Sequence, residues 1–204
     1  MEQGSPEWFA ERAGKVTASK VADVLMKPTT AGYQNYKAQL ICERLTGQAT
    51  ETFTSAAMQN GTDTEPQARA MYQLISGLAV SEVGFVFHPS IQNTGASPDG
   101  LIDEDMGLVE IKCPQQAKHI KNLLGGKIDR NYRLQMQWQM ACTGREWCDF
   151  VSFNPTFPDE MQMHIQRVER DPVEIVELET SITAFLKEVE AAQAELTNKY
   201  KEAA

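Results

Sequence analysis

Residues Ser97 to Pro114 read S-P-D-G-L-I-D-E-D-M-G-L-V-E-I-K-C-P, and the rest of the chain is organised around them. Leu101 and Ile102 precede the polar turn Asp103-Glu104-Asp105-Met106-Gly107, and Leu108, Val109 and Ile111 follow it, so the spacing predicts a β-hairpin. Asp99 then stands at the head of the first strand and Glu110 within the second. Side chains two apart on a strand share a face, which turns Glu110 and Lys112 to one side and Val109, Ile111 and Cys113 to the other. A hard divalent cation such as Mg²⁺ takes oxygen ligands in near-octahedral geometry. Asp99, Glu110 and the backbone carbonyl of Ile111 could supply three, leaving the other positions to water and a substrate phosphate. A neighbouring Lys can orient a metal-bound water, take its proton if its pKa is depressed, or offset charge on a phosphoryl group. The parts needed for phosphodiester hydrolysis thus lie between Asp99 and Lys112.

The chain of 204 residues suits one domain, residues 1–204, with a sizeable core. No apolar run approaches the roughly 20 residues that span a bilayer, and Met1-Glu2-Gln3-Gly4-Ser5-Pro6 lacks the regions of a signal peptide. A cytoplasmic protein with no membrane partner is expected. Cys42, Cys113, Cys142 and Cys148 show no paired spacing, so reduced and mostly buried thiols are expected rather than zinc ligands or disulfides. His88, His119 and His164 are scattered, which favours structural roles. A net charge of −9 is unusual for a nucleic-acid partner, although an enzyme enclosing DNA needs a local positive lining rather than a basic total. Part of the acid count lies in Glu174 to Glu202, which could face away from substrate.

Thr17 reads as the N-cap of a helix carrying Val21, Val24 and Leu25 on one face and ending at Lys27-Pro28. Arg12, Lys15, Ser19 and Lys20 crowd its start, a composition suited to phosphate. Tyr36 to Leu45 is a helical stripe stopped by Gly47. Ala56 to Ser76 is helical with Met71, Leu74 and Ile75 as its buried face, and Pro66 predicts a kink or fresh start near Thr64-Glu65. That bend would let the Glu65 carboxylate turn inward. Val80, Val83, Phe85 and Phe87 alternate like a strand. Two helices follow the hairpin, Lys118 to Leu124 before Gly125-Gly126, and Asn131 to Cys142 before Gly144. Tyr132, Gln135 and Gln139 share one face of the second, and beside the hairpin they could donate to phosphate or orient a ligand. Trp147 to Asn154 and Met161 to Val168 read as strands. From about Pro172 a long helix carries apolar residues at 173, 175, 176, 182, 185 and 186. Helices flanking a mixed central sheet make an α/β (α+β) fold.

Pro98-Asp99 followed by Glu110-Ile111-Lys112 resembles the P-D-x(n)-E-x-K nuclease motif. With the flanking residues five stretches fall in register: Trp8 to Ser19, Gly61 to Glu65, Ser97 to Leu101, Glu110 to Pro114, and Tyr132 to Gln137. Together they resemble the phage lambda exonuclease family, the viral recombinase-type alkaline exonucleases among the restriction-endonuclease-like nucleases, over about Trp8 to Asp171. The resemblance implies a 5′-to-3′ exonuclease that degrades one strand of linear duplex DNA, leaves 3′ single-stranded tails for recombination, and assembles as a homotrimer ring. It implies Mg²⁺, with Mn²⁺ as an alternative and two ions per site, held by Asp99, Glu110, the Ile111 carbonyl and Glu65, with Lys112 handling the attacking water. Arg12, Ser19, Ser97 and Gln135 match the pocket for a terminal 5′ phosphate, and Met58 matches an apolar wedge against the duplex end. A single-strand annealing protein is the implied partner. Thr29 stands where the family has a DNA-contacting arginine, a role Lys27 could take. A structure-selective or site-specific endonuclease, and a non-catalytic DNA-binding or assembly protein, are the rival readings of the same metal site.

Overall fold

Gly100, Leu101 and Ile102 face Val109, Leu108 and Gly107 across an antiparallel pair, so the expected hairpin is present. The protein is described here from a computed structural model covering residues 2–50, 56–102 and 106–201, with backbone alone at 56–58. The turn Asp103 to Asp105 and the Met58 side chain lie outside the described residues.

In chain order the elements are α1 (Pro6–Arg12), β1 (Val16–Thr17), a 3-10 turn (Ala18–Lys20), α2 (Val21–Val24), α3 (Ala31–Thr46), α4 (Ala56–Ser76), β2 (Val86–Phe87), β3 (Thr94–Ala96), β4 (Gly100–Ile102), β5 (Gly107–Lys112), α5 (Gln116–Leu123), α6 (Arg130–Thr143), β6 (Trp147–Phe153), a second 3-10 turn (Asp159–Met161), β7 (Met163–Glu169) and α7 (Pro172–Lys201). The fold is mixed α/β. One sheet runs β4-β5-β6-β7 with β5 and β6 parallel, and a smaller one runs β1-β3-β2. Among the described residues no helix is long and apolar enough to cross a membrane.

Alternation along β5 and β6 divides the interior. Val109, Ile111, Val151 and Phe153 pack on Ala68 and Tyr72 of α4, while Leu108, Cys148 and Phe150 pack on Met136 and Met140 of α6. The opposite side of α6, through Leu134, Trp138 and Ala141, joins a third cluster with α2, α3 and α7. Burying each of these large side chains contributes roughly 1.5–3 kcal/mol. Helix α6 is therefore enclosed on nearly every side, and whatever polar groups it carries must find partners inside the protein.

Several expectations are corrected. Helix α4 runs through Pro66 without a fresh start, and its buried residues are Ala68 and Tyr72, whereas Leu74 and Ile75 are exposed. Thr17 makes no side-chain cap, and the helix expected after it is a 3-10 turn followed by a single α-turn. Between Leu78 and His88 only Val86–Phe87 forms a strand, with Ser81 bridging to Leu101, because β3 offers a partner just three residues long. On α7, Val173 and Val176 are exposed, and the buried stripe is Ile175, Leu178, Ile182, Phe185, Leu186 and Val189. Helix α1 is an addition. Its signal is Ser5-Pro6-Glu7: the Ser5 hydroxyl caps Trp8 N–H at 3.2 Å, proline occupies the first turn, and an acid follows.

Candidate hydrolytic site

The site lies where β4 ends. Continuing the register that sets Gly100 against Val109 would oppose Pro98 to Ile111, and proline has no N–H to give a ladder. Instead the Asp99 side chain leaves the strand and its Oδ2 accepts the Ile111 N–H at 2.6 Å. A carboxylate has taken the place of a backbone acceptor, and its position is fixed by the strand it caps.

Glu110 points to the α6 side of the sheet and is wholly buried. Gln135 and Gln139, four residues apart on that helix, each donate from Nε2 to one of its two oxygens at 2.6 Å. The Lys112 ammonium is in salt-bridge contact with Oε1. Burial first, then the charge of Glu110, pushes the Asp99 carboxyl well above its ordinary range, with Lys112 opposing. Burial raises Glu65 as well; Arg69 and Lys112 oppose this, and Glu110 adds to it. For Lys112 burial acts downward, but the attraction of Glu110 and Asp99 outweighs it and raises the ammonium pKa, so the group is a cation at neutral pH. The adjacent Cys113 thiol is pushed up to about 12 by burial and then by Glu65 and Asp99, an environment that favours the neutral thiol.

Whether these residues suit a divalent cation can be judged from the donors. Asp99 and Glu110 are hard oxygen donors drawn together in a buried place, each with its backbone or amide restraint, and one lysine shares their negative charge. That excess of negative charge fits a cation. Glu65 is near enough to feel both charges but is turned to Arg69, at 2.7 Å. Among the described residues no three His, Cys, Asp or Glu side chains converge as a closed cage. The compact part of the site is the Asp99 and Glu110 pair.

A second group of side chains adjoins it. Strand β1 runs parallel to β3, bringing the end of α1 beside Ser97, two residues before Asp99. Trp8 and Arg12, one turn apart on α1, both donate to the Ser97 hydroxyl, at 3.0 Å and 3.3 Å, and the guanidinium lies 3.8 Å from the indole ring centre. Burial lowers the Arg12 pKa to about 10, with Tyr36 and Glu43 pulling the other way. No ion pair involves Arg12 among the described residues. The chain entering this corner is held by Glu43, whose Oε2 accepts the Gly14 N–H at 2.6 Å. Gly14 has φ +70°, a conformation side chains disfavour. Ser19 is exposed on the 3-10 turn, 3.4 Å from the Thr17 hydroxyl, and Lys20 is paired with Asp23. Gln135, matched by the resemblance to the phosphate pocket, donates here to Glu110.

Residues 7–146 match the YqaJ-like viral recombinase domain. The chain belongs to the YqaJ-like viral recombinase family. An alkaline exonuclease from Laribacter hongkongensis is 52% identical, with a TM-score of 0.92, covering 98% of this chain and 100% of that one. The same relative has also been solved in complex with dAMP, at the same identity and TM-score. A phage-related exonuclease from Haemophilus somnus 129PT is 17% identical with a TM-score of 0.68, covering 89% of this chain and 96% of that one, a likeness of fold. Comparison with curated proteins gives no match.

Gln139, expected with Gln135 on a polar face that could orient a ligand, does meet Glu110 because α6 is buried there. One residue of this YqaJ-like domain joins the site without having been singled out for it. Trp8 gives Arg12 its ring and Ser97 a second donor, and the signal that would have placed it is the Ser5-Pro6-Glu7 helix start.

Proposed function

We propose that the protein is a metal-dependent 5′-to-3′ exonuclease that degrades one strand of linear double-stranded DNA and leaves 3′ single-stranded tails. The observation that carries this reading is the adjacency of two unlike sites: the buried Asp99 and Glu110 pair with Lys112, and, reached through Ser97, the Arg12 guanidinium, which forms no ion pair among the described residues. Similarity at 52% identity to an alkaline exonuclease, itself known in complex with a nucleoside monophosphate, supports the same reading.

Asp99, Glu110 and the Ile111 carbonyl would hold Mg²⁺ or Mn²⁺, with Glu65 at the margin. A divalent ion there supplies Lewis-acid stabilisation of charge on the phosphoryl group. Around it the chain's own groups are preorganised. Gln135 and Gln139 fix both oxygens of Glu110, and the Ile111 N–H fixes Asp99, so neither carboxylate has to reorganise as charge develops. Lys112, held as a cation, orients the attacking water and offsets negative charge at the transferring phosphoryl group. Arg12, with its forked donors backed by Trp8, and Ser97 receive a terminal 5′ phosphate and index the strand to the carboxylates. Ser19 would approach the same phosphate from the 3-10 turn. The ring-shaped homotrimer and a single-strand annealing partner belong to this proposal as well. Incubation with linear and with covalently closed circular duplex, in Mg²⁺ and in chelator, tests it. Linear DNA should shorten from its ends in Mg²⁺ alone, and cutting of the closed circle would overturn the exonuclease reading.

A further inference from the structure

The chain has a net charge of −9, yet residues 112–133 contain six Lys and Arg against the single acid Asp129. Three of these cations, Lys118, Lys121 and Lys127, line a groove of about 670 Å³ together with Tyr132, Gly125 and Gly126.

Local structure explains how they come together. His119 and Asn122 turn inward from α5 to the Ser152 hydroxyl of β6, at 2.8 Å and 2.9 Å, and the other nitrogen of His119 meets the Met161 carbonyl at 2.8 Å. With that face pinned, Lys118 and Lys121, three residues apart, share an outward one. The helix then closes with two bonds, Gly126 N–H to the Lys121 carbonyl at 3.0 Å and Gly125 N–H to the Asn122 carbonyl at 2.9 Å. This Schellman closure needs Gly125 at φ +75°, and a Cβ at Gly126 would stand 2.6 Å from the Lys121 oxygen. The glycine pair folds the chain back so that Lys127 returns to the groove lined by Lys121.

No acid among the described residues pairs with these lysines. Asp129 accepts the Asn131 N–H at 2.9 Å and caps α6, and among the described residues no ion pair involves Lys121 or Lys127. Tyr132 links the groove to the hydrolytic site. Lys118 Nζ donates to the Tyr132 hydroxyl at 3.0 Å and lies 4.4 Å from its ring centre, and Lys112 Nζ lies 5.2 Å from the same centre.

We infer that the Lys118, Lys121 and Lys127 groove binds the sugar–phosphate backbone of DNA beside the hydrolytic site, as the local positive lining an acidic nuclease requires. The inference rests on the reading of the protein as a DNA exonuclease. Lysine ammonium groups read charge and not base identity, so the groove's contribution is independent of sequence and falls as salt rises.

Binding of a fluorescent linear duplex in chelator, followed by anisotropy from 50 to 200 mM salt, tests the groove without cleavage. Replacing Lys121→Ala and Lys127→Ala together should make the slope of log affinity against log salt shallower by about two, at roughly 0.9 per phosphate contact. The Lys121→Arg, Lys127→Arg pair should keep the wild-type slope. Lys199→Ala with Lys201→Ala, an equal change in net charge at the far end of α7, should leave it unaltered. Equal slopes for wild type and the groove alanine variant, or equal losses in both alanine pairs, would overturn the inference, as would a wild type that does not bind. Both groove lysines are exposed, so circular dichroism of the variants should match wild type. Digestion of linear duplex, run in parallel, reports on the exonuclease reading by itself. A wild type that binds with the expected slope but never digests would lose that reading and keep the groove. One that digests while the variant retains its slope would lose the groove alone.

Discussion

Glu110 and Arg12 are both charged groups withdrawn from water, and the protein surrounds them in opposite ways. Glu110 is wholly buried and fully answered, by two glutamine amides at 2.6 Å and by the Lys112 ammonium. Arg12 has an indole face and a serine hydroxyl but, among the described residues, no ion-pair partner, and burial lowers its pKa to about 10 against the more distant pull of Glu43. A buried charge without a counter-ion costs several kcal/mol, and neutral partners recover part of that cost. The difference indicates the role of each corner. The glutamines hold Glu110 as a fixed element, suited to a centre whose geometry must not move. The guanidinium is held in place with its charge uncommitted, suited to an anion that comes and goes with each turnover.

The largest expected effect breaks the carboxylate half. Asp99→Ala should lower digestion of linear duplex on the order of 10³-fold, through loss of charge stabilisation, while melting shows a folded protein. The stability cost is limited to leaving the Ile111 N–H unanswered, about 1–3 kcal/mol. Near-normal digestion by a folded Asp99→Ala protein would remove this pair from catalysis. Lys112→Ala is next, with turnover falling about 10²- to 10⁴-fold and DNA affinity changing only a few-fold. A loss of binding that tracks the loss of rate would make Lys112 an anchor for DNA instead.

The Arg12 half is probed by matched duplexes carrying 5′-phosphate or 5′-hydroxyl ends. Wild type should digest the phosphorylated duplex faster, and Arg12→Ala should shrink that preference by about 10-fold or more, the range of a hydrogen bond to a charged group. An equal defect on both ends would mean that Arg12 does not read the terminal phosphate.

The smallest effect concerns the support beneath Arg12. Burial acts to raise the Glu43 pKa, but bonds from the Gly14 N–H, Gln39 and the Thr50 N–H outweigh it and hold the group below its ordinary value. A carboxyl with a depressed folded pKa adds stability above its unfolded pKa of about 4.3, and that stability is lost as pH falls through the folded value. Glu43→Gln should therefore be less stable than wild type at neutral pH by about 1 kcal/mol, and urea titrations should show the gap closing on acidification below about pH 4. A gap that stays constant with pH would assign the stabilisation to shape and not to charge.

Sequence reading reached some of these features and missed others for definable reasons. The hairpin, α5, α6 and the ends of α3 and α6 at Gly47 and Gly144 were legible because period and turn chemistry are local. The strand expected from Val80 to Phe87 was misjudged because alternation specifies a face but supplies no partner, and β3 pairs with only two of those residues. Leu74 and Ile75 were assigned to a core that α4 presents instead through Ala68 and Tyr72, since apolar residues on more than one side of a helix do not say which side meets the sheet.

By itself the sequence determined that Asp99, Glu110 and Lys112 would meet, because two short strands within the fourteen residues from Asp99 to Lys112 have few ways to pair and strand alternation then sets the faces. It also placed Gln135 and Gln139 one turn apart. Tertiary structure alone decided that this turn of α6 is buried and lies over Glu110, and that the parallel pairing of β1 with β3 brings Arg12 beside Ser97. Those outcomes depend on contacts between segments far apart in the chain, where the energy comes from shared burial and no local pattern records which partner wins.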